Sequence, residues 1–73
     1  MGNREHIVVI SCNTYEKYKM IIKDIIHLAD LFGYTLLVSS NYNQSAFYYN
    51  IYVTCSNIEE RKAVVNAVVK YYK

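Results

Sequence analysis

The segment Phe47-Tyr48-Tyr49-Asn50-Ile51-Tyr52-Val53 has the clearest pattern in the chain. At the two-residue period of a strand, Phe47, Tyr49, Ile51 and Val53 point one way, and Tyr48, Asn50, Tyr52 and Thr54 the other. The first set reads as a core face. The second leaves two tyrosines on a face the core does not claim. His6 to Cys12 is a β-branched run, apolar on both sides, which predicts a buried strand. Tyr34 to Ser39 predicts a third, with Leu36 and Val38 on one face and Leu37 between them.

Two stretches change to the helical period. Asn13 and Glu16 have capping-box spacing, and Tyr18, Ile21, Ile22, Ile25, Leu28, Ala29 and Phe32 follow on one stripe until Gly33 ends the helix. Asn57 and Glu60 repeat the cap. Ile58, Arg61, Val64, Val65, Val68, Val69 and Tyr72 then form the inner stripe of a second helix. Its acids Glu59 and Glu60 and its bases Lys70 and Lys73 match the helix dipole. Between the second and third strands, Ser40 to Ser45 is polar and predicts a hairpin loop.

The order is therefore β-α-β-β-α. A right-handed crossover makes the first two strands run parallel and puts both helices on one face. The expected fold is a small α/β (α+β) sandwich: a three-stranded mixed sheet in order 1-3-2 under two helices. That arrangement resembles a ferredoxin-like βαββαβ domain lacking its last strand. The first strand then lies at an edge. An exposed Ile7-Val8-Val9-Ile10 edge invites pairing, and only Arg4 and Glu5 stand near it as a block. Pairing with a second copy, or with a strand from a target, is the expected way to cover it.

Composition sharpens this picture in two respects. The 73 residues make one domain, 1–73, and a chain of that size buries only about 60% of its unfolded surface. Hydrophobic residues make up 53% and charged residues 19%, against about 25% charged in ordinary domains. Self-association is the natural expectation. The net charge of +2 comes without any block of one sign, which is weak for a dedicated nucleic-acid binder.

Other features narrow the setting. The longest apolar run, Ile7 to Ile10, falls far short of the roughly 20 residues of a bilayer span. Gly2 lacks the Ser or Thr that a myristoylation motif needs at His6. A cytoplasmic protein, or one acting in a host's cytoplasm, is expected. The richness in Ile, Asn, Lys and Tyr is the usage of A/T-rich genomes, common in phages, archaeal viruses and plasmids.

Catalytic chemistry finds no foothold. His6, His27, Cys12 and Cys55 lack ligand spacing, so no metal is expected. The two cysteines close strands at opposite ends of the sheet and are expected to stay reduced and separate. The six acids are scattered over helix surfaces and caps, and the two glycines make no phosphate loop. No cofactor is implied and the chain reads as a non-enzyme.

What remains is recognition. Nine tyrosines are many for this length, and tyrosine favours interfaces because its ring is large, stiff and amphipathic. The expected function is a small interaction module, a homodimeric regulator or inhibitor of viral or mobile-element type. Tyr48, Tyr52, Tyr42, Ile7 and Val9 would carry contact with a protein partner or a second copy. A nucleic-acid binder using the tyrosine face or the lysines of the first helix is the alternative. A small-ligand regulatory domain with its site at a dimer interface is a weaker one, resting on fold analogy.

Overall fold

The computed structural model describes residues 6–72. Gly2, Arg4 and Glu5, and Lys73 at the other end, lie outside the described residues. The elements are β1 (Ile7–Cys12), α1 (Tyr15–Phe32), β2 (Leu37–Asn43), β3 (Tyr48–Thr54) and α2 (Ile58–Val68), which tightens into a 3₁₀ turn over Val69–Tyr72. The sheet order is β1-β3-β2, and both pairings are antiparallel. β1 and β2 thus run the same way on either side of β3, and the sheet holds no parallel hydrogen-bonded pair.

One hydrophobic cluster joins the layers. Val8, Ile10 and Cys12 of β1 and Ile51 and Val53 of β3 meet Ile21 and Ile25 of α1 and Val64 and Val68 of α2. Ile21, Ile25, Ile51, Val53 and Val64 are fully buried, each contributing about 1.5–3 kcal/mol by leaving water. The strand residues in this set alternate with neighbours that are exposed on β1 and half-buried on β3. The core therefore lies on one face of the sheet only, under both helices.

The caps explain where the helices begin. Thr14, not Asn13, caps α1: its Oγ1 accepts the Lys17 N–H at 3.2 Å from an extended backbone. Gly33 closes α1 in the left-handed region at φ 71, donating its N–H to the Ala29 carbonyl. Asn57 caps α2 as its sequence predicts, accepting the Glu60 N–H at 2.9 Å. The Glu60 carboxylate accepts the Ser56 N–H at 2.9 Å, which partners an acid that would otherwise be buried alone.

The β2–β3 hairpin departs most from the sequence pattern. β2 begins at Leu37 rather than Tyr34 and continues through Tyr42 and Asn43, so the connection shrinks to residues 44–47. Asn43 holds this turn twice, its Oδ1 accepting the Ala46 N–H at 3.0 Å and its carbonyl the Phe47 N–H at 2.8 Å. Phe47 closes the turn at φ 58 and is 70% exposed, so it leaves the core face expected of it.

Three other expectations are corrected. β1 is buried on one face, not two, because both helices take the same side. Phe32 is exposed at the end of α1 and stacks on Tyr34 at 5.5 Å. On α2 only Glu60, Val64 and Val68 are buried; Ile58 is exposed, and Val65, Val69 and Tyr72 are exposed along the β1 side of the domain.

A left-handed backbone at a side chain other than glycine costs about 1–2 kcal/mol. Glycine returns about 0.4–1 kcal/mol of that through a freer unfolded chain. Phe47→Gly is expected to stabilise the fold by up to about 1 kcal/mol, read from urea unfolding. A lower stability would show that the exposed ring holds the hairpin instead.

Candidate protein-interaction surface

The register of β3 with its two neighbours lays out the face away from the helices row by row. Ile7, Thr54 and Leu37 form the first row, and Val9, Tyr52 and Ser39 the second. Ser11, Asn50 and Asn41 form the third, and Tyr48 and Asn43 close the sheet beside the turn. Val9 is 60% and Leu37 67% exposed, while Tyr48 and Tyr52 are half-buried by their neighbours. The face grades from apolar at the first row to polar at the third.

The third row is tied together. Ser11 Oγ donates to Asn50 Oδ1 at 2.8 Å, and Asn50 Nδ2 donates to Asn41 Oδ1 at 3.2 Å, so one polar rung crosses all three strands. Tyr48 and Tyr52 flank it on β3. Fixed amides between stiff phenol rings form a pre-ordered surface, which lowers the ordering cost of a contact.

None of these eleven positions is charged. Exposed protein surface is usually about 25–35% charged, so a face of this size would ordinarily carry about three charges. Among the described residues, every Lys, Arg, Asp and Glu sits on a helix or the 3₁₀ turn. The sequence carries this signal as a stretch without charge from Gly33 to Asn57, which blocks of one sign do not register.

The structure brings Ile7, Val9, Tyr48 and Tyr52 onto this one face and excludes Tyr42. Tyr42 lies on β2 with its side chain towards the helices, its ring 4.7 Å from that of Tyr49. Tyr18 stacks on Tyr49 at 4.7 Å, Tyr15 lies 6.0 Å from Tyr18, and the Tyr18 hydroxyl hydrogen-bonds Ser40 Oγ at 2.9 Å. These four tyrosines join α1 to the β2–β3 hairpin where aliphatic core is lacking. The two-residue period of the strand sends Tyr42 there, opposite in side to Asn41 and Asn43.

The β1 edge is less open than its sequence suggests. Cys55 N–H donates to the His6 carbonyl at 2.8 Å. By alternation, Val8, Ile10 and Cys12 turn their main-chain groups to β3, and Ile7, Val9 and Ser11 turn theirs outward. Tyr72 crosses from the 3₁₀ turn to donate its hydroxyl to the Ser11 carbonyl at 2.7 Å, covering one end of the edge. Beside it, a groove of about 410 Å³ runs between Val9, Ile10, Val65, Val69 and Tyr72.

Among the described residues, titratable groups do not converge on a reaction centre. Cys12 and Cys55 are free and buried, and burial pushes both thiols up, away from the reactive thiolate. Cys55 sits opposite His6 and Cys12 opposite Tyr49, about 20 Å apart along the strands. Among the described residues no three His, Cys, Asp or Glu gather as a metal site, and no helix is long and apolar enough to cross a membrane. Comparison with protein-family models, with curated proteins and with solved structures finds no match to this chain. The surface is read from its own chemistry.

One polar contact fastens the C-terminal turn to α1. The Tyr71 hydroxyl donates to the Asp24 carboxylate, which also pairs with Lys70 at 3.3 Å. The phenol, followed by Lys70, holds the Asp24 carboxyl below its usual value against the opposing effect of burial, and Asp24 in turn pushes Tyr71 up to about 12. A depressed carboxyl stabilises above its unfolded pKa, about 3.9, and loses that contribution as pH falls through the folded value. The raised phenol stabilises fully below its unfolded pKa and loses this as pH rises through about 12. Tyr71→Phe should therefore be less stable than wild type at neutral pH, with the gap closing in acid as Asp24 protonates. Urea midpoints taken from neutral to strongly acidic pH read this, and a gap independent of pH would contradict it.

Proposed function

We propose that this chain is a non-enzymatic interaction module that binds protein through its open sheet face. The observation that carries this reading is the charge-free, tyrosine-flanked surface of eleven residues. The cores of protein interfaces are depleted in charge and enriched in tyrosine, whereas nucleic-acid surfaces need cations to neutralise phosphates. The cations of α1 do not supply such a surface here. Lys17, Lys19 and Lys23 alternate with Glu16 and Asp24, and the Lys19 ammonium sits 5.2 Å from the Tyr15 ring centroid. Absence of converging acids, bases or nucleophiles among the described residues fits recognition rather than turnover.

Tyr48→Ala combined with Tyr52→Ala is expected to leave the far-UV spectrum of the fold intact and to abolish the protein complex. A complex that survives both substitutions overturns the reading. Labelled single- and double-stranded DNA and RNA, titrated at low and moderate salt, are expected to show no binding. Affinity falling steeply with salt would identify the nucleic-acid alternative instead.

A further inference from the structure

We infer that the partner of the open face is a second copy of this chain, stacked sheet on sheet about a twofold axis that runs along β3. The inference rests on the reading of that face as a protein-binding surface and names its occupant.

A twofold contact sets a surface against itself, so each group near the axis meets its own like. A lysine there would face a lysine, and a glutamate a glutamate. This face has neither. Its polar side chains are hydroxyls and amides only, those of Ser11, Ser39, Asn41, Asn43, Tyr48, Asn50, Tyr52 and Thr54. Each of these both donates and accepts a hydrogen bond, so each can pair with its own copy on the axis or with another of the set beside it. Donor-only and acceptor-only groups are confined to the helices among the described residues. Complementarity to itself is therefore met along β3, where Tyr48, Asn50, Tyr52 and Thr54 lie nearest the axis, and no like charges oppose one another elsewhere on the face.

The gradient across the face selects the axis. Turning the copy about an axis along β3 keeps strand directions the same and lays β1 over the partner's β2. The apolar row of Ile7, Thr54 and Leu37 then meets its equivalent, and the rung of Ser11, Asn50 and Asn41 meets the other rung. Turning about an axis across the strands would instead set the apolar end on the polar end. Two sheets of like twist stack in this way within about 30° of alignment and about 10 Å apart. The assembly has four layers: helices, sheet, sheet, helices.

Size sets the strength. Three strands about 4.8 Å apart, of six, seven and seven residues, cover roughly 14 by 23 Å in plan. That lies below the roughly 800 Å² per partner of a standard stable complex even after allowing for side-chain relief. The dimer is thus a weak one, with a dissociation constant on the order of micromolar or above.

Sedimentation equilibrium between about 10 μM and 1 mM tests this, because mass action must raise the average mass with concentration. Wild type is expected to move from the 8.6 kDa monomer towards twice that mass. Tyr52→Lys places like charges across the axis and is expected to stay monomeric with a wild-type far-UV spectrum. Ser39→Lys, at an exposed position beside it, sets an unpaired charge against Val9 of the second copy and is likewise expected to stay monomeric, should Tyr52→Lys fail to fold. Lys62→Glu, on the exposed side of α2, should dimerise as wild type does. A wild type that remains monomeric at the highest concentration overturns the second copy but leaves the face free for a foreign protein. Self-association retained in both lysine variants overturns this dimer and also counts against the open face as the contact surface.

Discussion

The whole molecule depends on β3 being paired on both sides. Its residues alternate between a packed side, with Ile51 and Val53 without exposed surface, and an open side carrying Tyr48, Asn50 and Tyr52. A strand in that position cannot slip by one residue without exchanging its two faces. Its register fixes which side of β1 and β2 meets the helices, and so fixes the composition of the surface left outside. The core and the candidate interface are two consequences of one pairing.

A core on one side of a three-stranded sheet is small, and the structure supplements it with directional contacts at its margins. At the β2 end, rings of Tyr15, Tyr18, Tyr42 and Tyr49 take the place of aliphatic packing. At the other end, Tyr71 and Lys70 grip Asp24, and Tyr72 reaches the β1 edge. Tyrosine suits both tasks because one side chain supplies apolar area and a hydrogen bond. Six of the nine tyrosines are thereby committed to holding the domain together. Their abundance says more about stability than about recognition.

The same division explains the distribution of charge. Helix surfaces face water and carry all the charged residues that the structure describes, while the sheet carries none. The open face of the sheet carries apolar, phenolic and amide groups instead. Desolvating that face costs far less than desolvating a charged one, which is the property that a surface meant for burial needs.

The 1-3-2 sheet order followed from the crossover rule and the ferredoxin-like element order. Periodicity and cap spacing by themselves determined the element order, the cap at Asn57 and the inner residues Ile21, Ile25, Ile51, Val53, Val64 and Val68. These follow from local rules, because the period of apolar residues and the spacing of cap and turn are written in neighbouring positions. Ile7, Val9, Tyr48 and Tyr52 could be named singly from the same pattern. Only tertiary pairing put those four on one surface and sent Tyr42 to the other. Tertiary structure also decided that Phe47 leaves the core for a left-handed turn, since β2 runs on to Asn43, four residues past the end that the polar run suggests. Likewise, the guard that Tyr72 places on β1 joins residues 61 positions apart. The reason is the same in each case: a face, a register and an edge contact are relations between segments distant in sequence, fixed when those segments pack.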